Sequence, residues 1–461
     1  MAETVTEDER DPTGSASVGR TGRPTVRRDV VSVTVAVVLV AAAAYVPLVH
    51  DRSMLGRIFA QAPPLFANWL PHDGPGTIPA IVLAVLAVIA MPAISRRVSF
   101  GVLCLVTWGW AMAWTVSLAL IDGRERGYTG RLERPDEYLA EVPGVDGIGA
   151  MLRGFSDRII DGQPDSWTTH VSGHPPGALL TFVVLDRLGL DGGGWAGTWC
   201  IVIGTSAVAA VLITVRRLGD DGWARRCAPF LALFPGWVWV GVSADGYFMG
   251  VAAWGVALLA IAATSRGPAT ICWAVAAGVL LGFCIFLSYG MVLIGAVAVA
   301  VLLATRTARP LPWACVAALG VVAAFWAAGF WWFDGYHLVV DRYYQGIASD
   351  RPFSYWGWAN IAATLCALGP AAAAGVGRTF RWPPGVMWRS APTLLVLGGL
   401  IAIVAADLSA LSKAETERIW LPFSLWVMVS VGLLPRRHQR VWLIAQAGLA
   451  LAANHLLLTY W

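Results

Sequence analysis

The chain has 461 residues, a formal net charge of +4 and a mean hydropathy of +0.63. Hydrophobic residues make up 57% of it and charged residues only 13%, which excludes a soluble globular domain. Its basic residues lie at the edges of apolar runs, without a stripe of interleaved aromatics, which excludes a nucleic-acid-binding surface. We therefore predict an all-α fold, a polytopic bundle of transmembrane helices.

Residues 1–29 are polar, rich in Gly, Ser and Thr, and lack apolar periodicity, so they are predicted to form a disordered tail. No cleavable signal peptide is visible. Arg20, Arg23, Arg27 and Arg28 end this tail, directly before the first apolar run. Because basic residues beside a span favour the cytoplasm, the N-terminus is predicted to be cytoplasmic.

Residues 30–461 are predicted to form one transmembrane domain. A run of about 20 apolar residues crosses the ~30 Å hydrocarbon layer of a bilayer, and about thirteen segments approach that length. The predicted spans cover residues 30–48, 77–94, 99–121, 195–215, 229–242, 247–264, 271–286, 289–304, 311–333, 357–376, 393–411, 420–434 and 441–460.

Basic residues fall in alternate connections between these spans, and such connections face the cytoplasm. Residues 122–194 then form a large extracytoplasmic loop, on the same side as residues 334–356 and 412–418. Within this outer loop, the apolar stretch 178–190 is short and carries two charges, so it is predicted to be a juxtamembrane or re-entrant helix. The basic connections contain Arg96, Arg97, Arg216, Arg217, Arg225, Arg226, Arg266, Arg306, Arg309, Arg378, Arg381, Arg389, Arg436, Arg437 and Arg440.

The outer loop carries an acidic pair, Asp136 and Glu137, and two histidines near its end, His170 and His174. A carboxylate here could act as a general base, and the alternative is a solvated acidic helix start. Pro175 favours a turn at His174, so a two-histidine metal site is not predicted. All seven cysteines lie in or beside apolar spans, so neither a disulfide framework nor a thiolate zinc site is predicted.

Asp245 ends an apolar stretch, where an ionisable group is costly enough to be a functional candidate; a helix cap is the alternative. Lys413 is the only lysine of the chain, and it shares an outer loop with Arg418. These two cations could hold a phosphate, one as a point charge and the other as a planar fork. They could equally pair locally with Glu415 and Glu417.

Tyr343 and Tyr344 lie in an outer segment that mixes aromatic and polar residues. Aromatic faces suit sugar rings. Tyr and Trp also collect at the membrane interface regardless of function, so both interpretations stay open.

The acidic pair and the segment 174–179, His-Pro-Pro-Gly-Ala-Leu, resemble the polytopic glycosyltransferases of the GT-C superfamily. The similarity is greatest to protein O-mannosyltransferases, where the segment reads roughly His-Pro-Pro-Leu-Gly-Lys, and to bacterial lipid A aminoarabinose transferases. A second acidic position after a Pro-containing span is matched by Asp245 after Pro235. The resemblance covers roughly residues 136–264.

The resemblance implies an inner-membrane enzyme that transfers a sugar from a polyprenyl-phosphate donor to an extracytoplasmic protein, lipid or glycan acceptor, as in cell-envelope assembly. It implies that Asp136, Glu137 and Asp245 are catalytic, with Asp136 as the general base. The departing phosphate needs cationic side chains or a divalent cation, so the cofactor is left open. The candidate substrate-binding residues are His170, His174, Lys413, Arg418, Tyr343 and Tyr344.

Two other functions remain open. A transporter or flippase of lipid-linked or envelope substrates is expected to place charges at mid-span, and Asp407 is the main charge that lies inside a predicted span here. A noncatalytic membrane scaffold would tolerate loss of all the outer-loop acids.

Overall fold

The structure is a computed structural model and describes residues 23–49, 52–380 and 390–460. Helices dominate these ranges, which confirms the predicted all-α class. The first helix begins at Arg23, inside the predicted tail, whereas residues 1–22 lie outside the described part of the chain. Arg381 and Arg389, assigned above to a basic connection, also lie outside it.

The described α-helices, in chain order, are α1 (Arg23–Val49), α2 (Arg52–Ile58), α3 (Thr77–Arg97), α4 (Phe100–Ala119), α5 (Ile148–Arg153), α6 (Thr169–Ser172), α7 (Pro176–Arg187), α8 (Gly192–Arg217), α9 (Asp221–Ala232), α10 (Trp237–Val240), α11 (Ala244–Thr264), α12 (Pro268–Leu287), α13 (Gly295–Thr305), α14 (Leu311–Ala327), α15 (Trp332–Gln345), α16 (Phe353–Thr379), α17 (Ala391–Leu408), α18 (Thr416–Ile419), α19 (Leu421–Val427) and α20 (Gln439–Leu456). The strands are β1 (Ala67–Trp69) and β2 (Leu457–Thr459). Helical turns of 3₁₀ type cover Leu120–Asp122, Tyr138–Ala140, Val142–Gly144, Ser156–Arg158, Tyr289–Ile294, Met428–Leu433 and Arg436–His438, and a π-turn covers Glu125–Thr129.

Eight of the described helices are long and apolar enough to cross a membrane, and the bent pair α14 and α15 makes a ninth span if it is counted as one. The chain is therefore a multi-pass membrane protein. The eight helices are α1, α3, α4, α8, α11, α12, α16 and α17.

Five of the predicted spans are shorter or broken in the structure. Residues 229–242 divide into the end of α9 and the short α10, because Pro235 lacks a backbone donor and cannot continue the helix. The helices α14 and α15 meet at a bend of 73° instead of continuing through residue 333. Turns of 3₁₀ type and strand β2 shorten the other three, residues 289–304, 420–434 and 441–460.

The centre of the bundle is α11, with 83% of its most apolar window buried, packed between α8 and α12. The long helix α16 is broken at Gly369, whose φ is 77°. The side chain of Gln446, on α20, fills this break by accepting a hydrogen bond from Ala371 N at 3.1 Å and donating one to Leu368 O at 3.0 Å. Backbone groups in apolar surroundings need such partners within the protein.

The outer loop is attached to the strand that follows α20. Strands β1 and β2 pair antiparallel, with Ala67 opposite Thr459. Arg131 donates from Nη1 to Thr459 O at 2.7 Å, and Arg134 donates from Nη1 to Tyr460 O at 2.8 Å. The segment that carries the acidic pair is thereby fixed against β2.

Candidate active site

A cavity of about 640 Å³ lies between the end of the outer loop, the turn before α13, helix α15, the end of α17 and the helix α18. This volume falls within the range of small-molecule binding sites. Its polar lining includes His170, His174, Arg342 and Arg418, and its apolar lining includes Val339, Val340, Ala405, Ala406, Leu293 and Phe423.

The histidine segment lines this cavity at the junction between two helices. Helix α6 ends at Ser172 and α7 begins at Pro176, so His174 lies in the turn between them, as predicted. A proline suits the first turn of a helix, where its missing N–H is not needed. At Gly177 a Cβ atom would lie 2.5 Å from the carbonyl oxygen of Phe286 in α12, so glycine permits the close approach of α7 to α12.

The imidazole of His174 is held by two oxygen atoms. Its Nδ1 lies 2.8 Å from His170 O and 2.9 Å from the hydroxyl of Tyr138. Because a carbonyl oxygen only accepts, we assign the proton to Nδ1, which leaves Nε2 as a hydrogen-bond acceptor. Burial lowers the pKa of His174 to about 4, so the ring is neutral at physiological pH.

The acidic pair lies beside His170, with its two carboxylates in different surroundings. His170 Nδ1 is 2.8 Å from Asp136 O, 3.8 Å from Asp136 Oδ2 and 3.5 Å from Glu137 Oε1. The side chain of Glu137 is buried, and burial raises its pKa, while the neighbouring His170 and Arg418 act to lower it. The Asp136 side chain is 37% exposed and lies 3.4 Å from Arg134 Nε, so Asp136 is the carboxylate that a substrate can reach.

Arg418 connects two acidic side chains in the cavity wall. It forms a buried ion pair with Asp245, at the start of α11, and its Nη2 lies 3.0 Å from Glu415 Oε2. Burial acts to lower the pKa of Arg418, but Asp245, Glu415 and Glu137 together raise it above its ordinary value. The guanidinium therefore stays charged, in a fixed orientation at the cavity wall.

Lys413 and Tyr344 are not among the described residues that line the cavity. The ammonium of Lys413 donates to Ala348 O at 2.9 Å and lies 5.0 Å from the ring centroid of Tyr344. Tyr343 does line the cavity, and its hydroxyl accepts a hydrogen bond from Lys413 N at 2.8 Å. The structure therefore brings Tyr343 and Arg418 to the cavity and places Lys413 behind its wall.

Two further arginines line the cavity, and no sequence pattern marks them as a group. Arg342 lines it, donating from Nε to the Ser172 hydroxyl at 3.2 Å, and pairs with Asp161 at 2.5 Å. Arg351 lines it and donates to Lys413 O at 2.7 Å.

Asn360, on α16, holds the loop before α18 in place. Its amide donates to Asp407 Oδ1 at 2.9 Å and to Ser412 O at 2.7 Å, and it accepts from Ala414 N at 3.1 Å. Asp407, the charge inside a predicted span, is thus a partner of Asn360 in the support of this loop.

The described residues contain no group of three or more His, Cys, Asp or Glu side chains arranged to hold a metal ion. In the cavity wall the positive charge comes from arginines, and Asp245 is already paired with one of them. The donor set is therefore better suited to binding an anion than to binding a divalent cation.

No protein-family model and no curated protein sequence matches the chain. Among solved structures it is similar to the oligosaccharyltransferase of Archaeoglobus fulgidus, crystallised with Zn and sulfate, at 13% identity and a TM-score of 0.44. The match covers 77% of this chain and 53% of that one, so the chain spans about half the length of that enzyme. Identity and TM-score are both too low to transfer residues, donor or acceptor from that enzyme to this chain.

Proposed function

We propose that the chain is a membrane glycosyltransferase of the GT-C type, which transfers a sugar from a polyprenyl-phosphate donor to an extracytoplasmic acceptor in the assembly of cell-envelope glycans or glycoproteins. The observation that carries the proposal is the cavity of about 640 Å³, which joins apolar walls and arginines and has His170 in its lining, beside the acidic pair. A lipid-linked sugar phosphate presents an apolar chain, an anion and hydroxyl groups to its enzyme.

The apolar part of the cavity suits the prenyl chain. Val339 and Val340 on α15 face Ala405 and Ala406 on α17, with Phe423 of α19 in the same lining. These side chains offer no polar partner, so a hydrocarbon chain can be buried there at roughly 25 cal/mol per Å² of apolar surface.

The arginine-lined part suits the phosphate. Arg342 and Arg418 both line the cavity, and each is already oriented by a carboxylate, Asp161 and Asp245 respectively. A planar guanidinium can bind a phosphate through two parallel hydrogen bonds. When the bond between the anomeric carbon and the phosphate oxygen breaks, these fixed charges stabilise the negative charge that develops on the departing phosphate.

The acidic pair supplies the base. In the proposed reaction the acceptor hydroxyl gives its proton to Asp136 and its oxygen bonds to the anomeric carbon, while the electron pair of the breaking bond leaves with the polyprenyl phosphate. Glu137 is buried beside His170 and acts as a positioning residue. Asp245 acts likewise, because its carboxylate contacts Arg418 rather than the open cavity.

The proposal is tested with the purified chain in liposomes, supplied with polyprenyl-phosphate pentose and hexose donors and with envelope acceptors. Asp136→Asn is expected to lower transfer by a factor on the order of 10² or more, because the base is lost. Asp157→Asn is the matched control, since Asp157 is an exposed acid of the same loop. Equal transfer by the Asp136→Asn variant and the parent would remove Asp136 from the reaction. Absence of transfer by the parent with every donor would contradict the proposed function.

A further inference from the structure

A second pocket, of about 500 Å³, lies on the outer loop beside the two strands. Three arginines and one glutamate supply its charged lining, and the ring of Tyr460 and the amide of Asn68 supply polar and aromatic contacts. The remaining lining comes from Gly130, Leu458 and Thr459. Among these lining residues, Leu458 is the one aliphatic side chain.

The three arginines of this pocket differ in whether a carboxylate pairs with their guanidinium group. Arg131 is buried and paired with Asp122, yet its Nε has no hydrogen-bond partner among the described residues. Arg134 lies 3.4 Å from Asp136. Arg126 is exposed and forms no ion pair with another described residue.

The three positive charges also affect one another. Burial lowers the pKa of Arg131, Asp122 raises it, and the charges of Arg134 and Arg126 lower it further. An anion bound between these arginines would relieve this repulsion, and guanidinium groups bind carboxylates and phosphates through charge-assisted hydrogen bonds.

Asp136 contacts one lining residue of this pocket and one lining residue of the larger cavity. The Oδ1 atom of Asp136 is 3.4 Å from Arg134 Nε, which lines the pocket. Its Oδ2 atom is 3.8 Å from His170 Nδ1, and His170 lines the cavity. The half-exposed carboxylate of Asp136 therefore lies between the two.

We propose that this second pocket is the acceptor subsite and that the acceptor is an acidic saccharide, one that carries a carboxylate or phosphate group. Arg126, Arg131 and Arg134 bind the anionic group, while the Tyr460 ring and the Asn68 amide contact the sugar. An acceptor held there presents a hydroxyl to Asp136. The inference rests on the proposed function for the identity of the bound saccharide as an acceptor, but the anion site itself is independent of it.

Binding to the purified full-length chain in detergent tests the anion site without any transfer reaction. The probes are glucuronate, glucose 6-phosphate and, as the neutral control, glucose, measured by calorimetry. We expect both anionic probes to bind and glucose to bind more weakly by a factor on the order of ten, since glucose cannot form the charge-assisted hydrogen bonds that an anion forms with guanidinium groups. A preference for one anionic probe identifies carboxylate or phosphate as the recognised group.

Arg126→Gln should weaken the binding of both anionic probes by a factor on the order of ten and leave the binding of glucose unchanged. The fold should be preserved, because Arg126 is exposed and its loss leaves no buried group unpaired. Arg124→Gln is the matched control: Arg124 is an exposed arginine of the same segment that does not line the pocket. Equal binding of charged and neutral sugars, or parental affinity in the Arg126→Gln variant, would overturn the inference.

The transfer assay separates this inference from the proposed function. In an active parent, Arg126→Gln should raise the KM of an acidic acceptor and leave the donor KM unchanged. An unchanged acceptor KM would refute the acceptor subsite while the glycosyltransferase proposal stands. If the parent shows no transfer but binds anionic sugars in a way that depends on Arg126, the proposed function and the acceptor role are both refuted. The anion site would still stand.

Discussion

Lys413 and Arg418 share one loop, but their side chains have different surroundings. The Lys413 ammonium is bound to a backbone carbonyl and lies over Tyr344, behind the cavity wall. Arg418 lies in the wall itself and bridges Asp245 and Glu415. The two residues should therefore respond differently to substitution.

Arg418→Lys should lower transfer by a factor on the order of ten or more, because a point charge cannot serve two carboxylates and a phosphate as a planar fork does. Lys413→Ala should instead raise the donor KM severalfold with little change in kcat, since it loosens the loop without removing a charge from the cavity. Donor saturation curves for both variants check this, with Arg124→Lys as the control. If both variants matched the parent, the donor phosphate would have to be bound by the other arginines of the lining, Arg342 and Arg351.

Sequence analysis could identify many of these residues but not which of them meet. The turn at His174 was predictable because Pro175 restricts the residue before it, and this prediction is confirmed. The ion pair between Arg418 and Asp245 joins residues 173 positions apart, and no local pattern contains that information. The same holds for Arg342, which looks like an ordinary interfacial arginine until α15 is seen to line the cavity.

At the scale of elements, the packing of α7 on α12 determines where the histidine turn lies. Gly177→Ala would place a methyl group about 2.5 Å from a carbonyl oxygen of Phe286, so one helix must move. Such overpacking typically costs ~1–3 kcal/mol. We expect a melting temperature lower by a few degrees and reduced transfer, because His174 moves with the start of α7.

Gly144→Ala is the control for this substitution, since nothing lies within 4 Å of a Cβ atom added at Gly144. Both variants are compared with the parent by thermal unfolding in detergent and by transfer. A Gly177→Ala protein with parental stability and transfer would show that the contact between α7 and α12 relaxes freely.

The helix ends show where sequence patterns lose accuracy. Hydropathy located the long spans, because a continuous apolar run is the same signal whatever the helix packs against. It did not reveal the break at Gly369, where a Gln446 side chain from another helix replaces the missing backbone hydrogen bonds. Nor did it predict the bend between α14 and α15, because the apolar run continues through residue 333, past the end of α14 at Ala327.

At the scale of the whole molecule, the orientation in the membrane follows from the basic connections and remains a prediction. We expect residues 122–194 to lie on the extracytoplasmic side of the membrane and the connection between α8 and α9 to lie in the cytoplasm. In a background with Cys272→Ser and Cys315→Ser, the two exposed native thiols, Gln163→Cys and Arg217→Cys should label oppositely with an impermeant thiol reagent.

Both positions are exposed, and neither substitution is expected to change the backbone conformation. Gly219 would be a poor choice in the same connection, because its φ of 102° is strained for any other residue. Labelling of both cysteines from outside intact cells would place the acidic loop and the basic connection on one side and refute the predicted topology.

The antiparallel pair β1 and β2 has a consequence for biogenesis. Arg131 is anchored to Thr459, 328 residues later in the chain, so the segment with the acidic pair cannot take up its final position when it first leaves the ribosome. At a synthesis rate of ~5–20 residues per second, roughly 16–65 s pass before its anchor is made. During that interval the segment with the acidic pair has no strand β2 to bind, so the outer loop completes its fold only after α20 has been made.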